Sequence, residues 1–273
     1  MQFLHFQVAE FYWPFFTFVQ VLIVMEERYT RNRLYITEEE QRYIKNFPIL
    51  LGGAGIGSII AECLLRFGFE NLTIIDGDVV ELSNLNRQNY TEKDISIPKV
   101  NALKERLLSI NGNAAIKVHH CFLTPENVQE FIPGHKIAVN ALDFTSDVPL
   151  LFDETCQKYG IPVLHPYNLG WGALVFVISG SPGLRYLSKE DERFNELNVV
   201  EYAAGYLAFW GNRQVWIDDI IKKYKDENGN FPPPQLAVAS WLAGAVSTHI
   251  AFKIATGKNI KAFPEFYLTT IQN

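Results

Sequence analysis

Gly52-Gly53-Ala54-Gly55-Ile56-Gly57-Ser58 is a glycine-rich turn between two apolar stretches of different period. Upstream, Pro48 to Leu51 reads as a short buried strand. Downstream, Ser58 to Phe67 reads as a helix, with Ile60, Cys63, Leu64 and Phe67 on one face. A strand that turns through glycine into a helix aims unpaired N–H groups and a partial positive charge at whatever lies above the turn. Gly53, Gly55 and Gly57 let the backbone approach an anion closely. The run fits G-x-G-x-x-G only loosely, because Ser58 takes the third glycine position. A strand-to-helix turn without a ligand carries the same signature.

Asp76 ends the β-branched stretch Leu72-Thr73-Ile74-Ile75. It stands about 20 residues beyond the turn, where a carboxylate can accept a ribose hydroxyl. Asp76-Gly77-Asp78 would also make a tight turn. At this point NAD, FAD and ATP fit alike, and a dehydrogenase stays open.

The next stretch separates them. Ser83-Asn84-Leu85-Asn86-Arg87-Gln88 is a polar loop with an arginine that a dinucleotide reader does not need. A guanidinium there suits a triphosphate, because it forks onto phosphate oxygens. Lys99 opens a helix running to Ile110, directly after Pro98. A lysine at a helix N-terminus opposes the macrodipole, and a bound phosphate would relieve that conflict. A solvated surface lysine is the other reading. Asp143 follows the strand Lys136–Asn140, at the carboxyl edge of a parallel sheet. It could hold Mg²⁺ against phosphates. It could instead belong to the cap of the next helix, with Thr145, Ser146 and Asp147.

On these residues the chain resembles the ThiF/MoeB/HesA family, the adenylating domain of ubiquitin-activating-type enzymes. The match starts at Glu27-Arg28-Tyr29-Thr30-Arg31-Asn32 and runs through the turn, Asp76-Gly77-Asp78, Ser83–Gln88, Pro98-Lys99 and Asp143. It ends with Pro233-Pro234-Gln235-Leu236-Ala237, which leads into a small-residue helix. The resemblance implies that Asp76 holds the ribose, that Asn86, Arg87 and Lys99 hold phosphates, and that Asp143 binds Mg²⁺. Asp78, Asn84 and Gln88 join the nucleotide-binding set, and Arg31 is expected to cross from a partner subunit to the phosphates. A homodimer is therefore expected. The implied activity is ATP-dependent adenylation of a carboxylate with pyrophosphate release. The implied substrate is a ubiquitin-like protein tail, a peptide or a modified tRNA nucleoside.

Adenylation suits this residue set. A carboxylate is ionised at neutral pH and can attack the α-phosphate without a general base. What remains is positioning and charge shielding, which Arg87, Lys99, Mg²⁺ and Arg31 would supply. Relatives often carry paired C-x-x-C zinc ligands. The three cysteines here, Cys63, Cys121 and Cys156, form no such pair, so no zinc is expected. No cysteine follows Cys156, so a thioester step is not expected either. A NAD(P)- or FAD-dependent oxidoreductase and a non-catalytic nucleotide-binding scaffold remain as alternatives.

The 273 residues suit a single large α/β domain, and 48% apolar residues are ample for its core. The net charge of −6 argues against DNA binding by broad electrostatics. Three unpaired cysteines fit a reducing cytoplasm. Residues 1–24 form an apolar extension containing Phe11-Tyr12-Trp13-Pro14-Phe15-Phe16. It is too short and too interrupted for a spanning helix. Four readings compete for it: a mis-called start with Met25 as initiator, a packing element, an interfacial anchor or a partner-binding strand. The first is favoured, and no membrane association is expected unless the extension is real.

From residue 25 to 273 we expect one α/β domain, a Rossmann-like, mostly parallel sheet with helices on both faces. A late strand, Phe266–Thr270, is expected to be antiparallel. Thr37-Glu38-Glu39-Glu40 reads as a capping box. His165 to Gly172 reads as a polar-aromatic loop between strands, near the catalytic edge. Residues 185 to 225 read as a helical insertion, either a substrate-groove element or a packing appendage. Gln235 to Thr256 reads as a long helix suited to close packing or a dimer face.

Overall fold

The computed structural model describes residues 26–180, 182–188, 194–227 and 231–272. The apolar extension lies outside the described residues, so its four readings stay as they were.

Seven strands form one sheet: β1 (Pro48–Gly52), β2 (Asn71–Ile75), β3 (Ala115–His119), β4 (Ile137–Asn140), β5 (Val163–Asn168), β6 (Gly172–Ile178) and β7 (Phe266–Thr270). Their spatial order is β3-β2-β1-β4-β5-β6-β7. The first five are parallel, with Leu51 facing Ile74 on one side and Val139 on the other. The last two run antiparallel, as expected for Phe266–Thr270. The order reverses between β1 and β4, so a crevice opens at their carboxyl ends, where open α/β sheets bind ligands.

The helices are α1 (Glu38–Lys45), α2 (Ile56–Phe67), α3 (Lys99–Ile110), α4 (Val128–Phe131), α5 (Val148–Lys158), α6 (Glu196–Phe209), α7 (Val215–Asp226) and α8 (Ala237–Ala255). The expected capping box at α1 is present: Glu40 N–H donates to Thr37 Oγ1, and Thr37 N–H donates to Glu40 Oε2. Strand residues alternate between two cores. Ile49 and Leu51 of β1 pack with α2, α3 and α8, whereas Leu50 packs with α5 and α6. That alternation puts helices on both faces of the sheet. The apolar helix α8 lies closely against α2; a Cβ added at Gly244 would meet Ile59 Cγ2 at 3.0 Å.

Two local expectations change. His165 to Asn168 are not loop but the second half of β5, and the connection to β6 is only Leu169 to Trp171. Pro166 suggests a break in the sequence, yet β5 pairs with β4 only at Val163 and Leu164. Beyond them its one partner strand is β6, so a residue without an N–H is tolerated there. The helical region after residue 184 comprises the 3₁₀ turn Leu184–Leu187, α6 and α7.

Candidate active site

Gly53 follows β1 with φ +94°. A Cβ there would lie 2.3 Å from the Ala141 carbonyl oxygen, so the turn passes directly against the end of β4. Gly55 caps α2 at φ −68°, and Gly57 lies in its first turn. Neither space nor a positive φ demands glycine at these two positions, since a Cβ would meet Gln88 at 3.4 Å and Ala141 at 3.7 Å, both ordinary contacts.

Asp76 fastens the turn to β2. Its Oδ2 accepts from Ala54 N–H at 2.6 Å and its Oδ1 from Asp78 N–H at 2.7 Å. Each carboxylate oxygen keeps a further lone pair for a ligand hydroxyl. Burial pushes the Asp76 pKa up, against the pull of those two N–H groups and of Lys99. Asp78 pairs with Lys99 through a 2.8 Å contact from Nζ to Oδ2. Lys99 is only 8% exposed, so the surface-lysine reading is wrong. Asp78 is the anion that offsets its awkward place at the start of α3.

The loop after β2 folds around Arg87. Its Nη1 donates to Ser83 O and to Asn86 Oδ1, both at 2.8 Å. Its Nε donates to Gln235 Oε1, and Asn86 Nδ2 donates to the Gln235 carbonyl oxygen at 3.3 Å. Gln235, just ahead of α8, therefore orients the arginine across a gap of nearly 150 positions. Asn84 is buried and shapes the loop, accepting from Glu81 N–H at 3.0 Å. The Gln88 Oε1 is buried with no hydrogen-bond partner. An unpartnered buried acceptor beside the glycine turn suits a ligand donor.

Asp143 is not the cap of the following helix, because α5 starts at Val148 with Asp147 in the cap position. Asp143 is exposed, with its residue in the lining of a cavity. Partial desolvation raises its pKa, with further upward pressure from Glu196 and Asp78, while Lys99 and Arg87 pull it down. Four predicted site charges thus act on one another at the sheet's edge. Arg31 lies apart. It is exposed, at the end of the 3₁₀ turn Glu27–Asn32, with no hydrogen bond or ion pair among the described residues.

The cavity of about 450 Å³ continues from Arg87 and Asp143 past the ends of β4 and β5. Glu196, Leu197 and Val200 of α6 and Trp216, Ile220 and Tyr224 of α7 wall it, with Pro232–Pro234 at one side. The helical insertion is thus part of the cavity wall. Arg87 is the sole Lys or Arg in the described lining. None of the three cysteines lines it, and burial raises the pKa of Cys63 and of Cys156.

The model of the ThiF family matches residues 29–270. The chain belongs to the ThiF family. It is 37% identical over 164 residues to the sulfur carrier protein ThiS adenylyltransferase of Bacillus subtilis, covering 58% of this chain and 48% of that protein. It is 31% identical over 192 residues to the molybdopterin-synthase adenylyltransferase of Haemophilus influenzae, covering 67% of this chain and 77% of that protein. The chain thus spans about half the length of the first of these ThiF-family relatives. The fold also matches a crystal structure of Escherichia coli MccB with ATP, at a TM-score of 0.66 and 19% identity, over 90% of this chain and 72% of that one.

Residues that the sequence reading left out include Gln235 as partner of Arg87, Glu196 as neighbour of Asp143, and the lining residues of α6 and α7. Gln235 lies in the Pro233–Ala237 stretch that the resemblance included, but no local pattern marks its contact with Arg87 or the roles of the others, because the chain brings them to the cavity from more than 50 positions away.

Proposed function

We propose that this ThiF-family chain adenylates the carboxylate of a peptide or protein tail, using ATP and releasing pyrophosphate. The observation that carries the reading is the convergence of Arg87, Lys99 and Asp143 beside the Gly53 turn, with an elongated cavity leading away from them. Adenylyltransferase relatives make this the favoured chemistry over an oxidoreductase.

In this reading the phosphates lie against the N-terminus of α2, where Arg87 and Lys99 shield their charge. Asp76 takes the ribose with its spare lone pairs, and Gln88 offers its unpartnered oxygen to a nucleotide donor. Asp143 fits Mg²⁺ as one carboxylate beside the phosphates. Among the described residues no cluster of three His, Cys, Asp or Glu groups offers an all-protein cage, and Mg²⁺ usually needs none when phosphates and water complete its shell. When bound, Mg²⁺ would supply further shielding of the phosphate charge. The substrate carboxylate enters along the cavity and attacks the α-phosphate in line with the departing pyrophosphate.

The cavity lining favours a peptide tail over a tRNA nucleoside. Apolar helix faces and a proline run suit an extended chain, whereas a polyanion would need more than one basic residue. The relative from Bacillus subtilis is named for a carrier protein, which agrees with a tail. Arg31, exposed and without a partner, is assigned to the site of a second subunit, and we place the homodimer in a reducing cytoplasm.

ATP–pyrophosphate exchange tests the reading. A pool of peptides with randomised last residues and free carboxyl termini is expected to support exchange. The same pool as C-terminal amides is expected to support none. Equal exchange with both pools, or tight NAD binding without exchange, contradicts the proposal.

A further inference from the structure

A second chemical device sits in the cavity wall, away from the phosphate-facing charges. Asp153 of α5 is buried and meets His165 of β5, with Nε2 at 2.7 Å from both carboxylate oxygens. Asn140, at the end of β4, donates from Nδ2 to Asp153 Oδ1 at 2.8 Å. The same amide donates to Pro149 O at 2.8 Å. This fixes the carboxylate, so it accepts from Nε2–H and leaves Nδ1 as the acceptor end of the imidazole. Tyr167, two residues along β5, has its hydroxyl 3.5 Å from Nδ1. Phe144 and Tyr167 flank the imidazole, at ring separations of 6.3 and 6.2 Å. His165 is 1% exposed, and both it and Tyr167 line the cavity.

Adenylation by an ionised carboxylate has no use for such a line, because that nucleophile carries no proton. The following transfer does need one if the nucleophile arrives as N–H. No cysteine of this chain lines the cavity to take up the acyl group. Glu196, in the lining and close enough to act on Tyr167, supplies a negative charge that attracts an amine.

We infer that Asp153, His165 and Tyr167 form a proton relay that lets an external amine attack the acyl-adenylate. The proposal rests on the adenylation reading above. The free-amine nitrogen attacks the acyl carbon and a C–N bond forms. Its N–H proton passes to Tyr167 Oη while the Tyr167 proton passes to His165 Nδ1. The C–O bond to the phosphate breaks, and its electron pair leaves with AMP. Asp153 holds the imidazolium through Nε2–H, as a positioning residue. Burial and the negative charges of Asp153 and Glu196 hold the Tyr167 hydroxyl protonated, so it gives up its own proton only as it receives the amine's.

Two readouts on the full chain test this. In the first, the free-acid peptide pool, ATP and glycinamide are supplied, and glycinamide-dependent AMP release is compared with ATP–pyrophosphate exchange. Tyr167→Phe and His165→Gln are each expected to lower the ratio of release to exchange by about 100-fold, the range of general-base catalysis. An unchanged ratio in Tyr167→Phe, which keeps the ring, overturns the relay. In the second, nitrogen-15 histidine spectra are recorded without substrate, with His165 assigned from His165→Gln. An imidazole protonated at Nε2 and bare at Nδ1, whose Nδ1 signal moves in Tyr167→Phe, is expected. An imidazole that carries its proton on Nδ1 overturns the relay, because that nitrogen cannot then accept one. Loss of exchange in the wild-type chain would instead overturn adenylation, and the spectra would still decide the relay.

Discussion

The two halves of the cavity are built on opposite principles. At the glycine turn, nearly every polar group is already engaged: Asp76 by two backbone N–H groups, Lys99 by Asp78, and Arg87 by Ser83, Asn86 and Gln235. At the far end, α6 and α7 present mostly apolar side chains, and the polar line from Asp153 to Tyr167 is confined to one wall. A preorganised end suits a ligand that never varies, because fixed dipoles need no rearrangement at the moment of reaction. An apolar trough suits a variable chain recognised by shape and burial. In the proposed reading, nucleotide chemistry and substrate choice are therefore separable, and substitutions at each end should move different quantities.

The largest effect should come from the phosphate end. Arg87→Ala and Lys99→Ala are each expected to reduce peptide-dependent ATP–pyrophosphate exchange by roughly 100- to 1,000-fold, the scale for removing one charge-stabilising donor. Retention of exchange in both would erase the distinction between the halves. Next is Gly53→Ala, where a positive φ and a 2.3 Å approach to Ala141 O combine. Chemical denaturation should show a loss of about 3 kcal/mol, the upper end for a strained backbone position.

A smaller, different effect is expected at the far end. Tyr224→Ala should raise KM for the peptide pool about tenfold with kcat little changed, as for a group that binds ground and transition states alike. An equal fall in kcat would mean that α7 belongs with the chemistry. The smallest effect concerns Asp143, whose pKa is raised in the fold. For such a group, stability is lost as pH rises from the unfolded carboxylate pKa through the folded one. Asp143→Asn is therefore expected to raise Tm slightly at neutral pH, with the difference vanishing below the ordinary carboxylate range. Melting curves at both pH values check the sign.

The same divide explains what could be read from the chain. Glycine turns, capping boxes and buried apolar strands are local patterns, so β1, β2, α1 and α3 were legible within a residue or two, and so was the late antiparallel β7. Lys99 and Arg87 were legible by their offsets from the turn, and the fold brings both near Asp143 at the sheet's edge. The strand β3 was not, since the small Ala115 and the polar Lys117 and His119 form the exposed face of an edge strand and break up the apolar signal. The second half of β5 was hidden by Pro166, whose missing N–H costs little once β4 has ended. The pairing of Asp153 with His165 depends on α5 packing beside β5, a tertiary event without a local sequence signature. The same is true of the contact from Gln235 to Arg87.

The most direct test of the account is a crystal structure of the full chain with a non-hydrolysable ATP analogue and Mg²⁺. The account predicts the triphosphate across the Gly53–Gly57 turn, within contact of Arg87 and Lys99, and the α-phosphate facing the trough that Tyr167 lines. A nucleotide bound elsewhere, or one whose phosphates point away from Arg87 and Lys99, would contradict it.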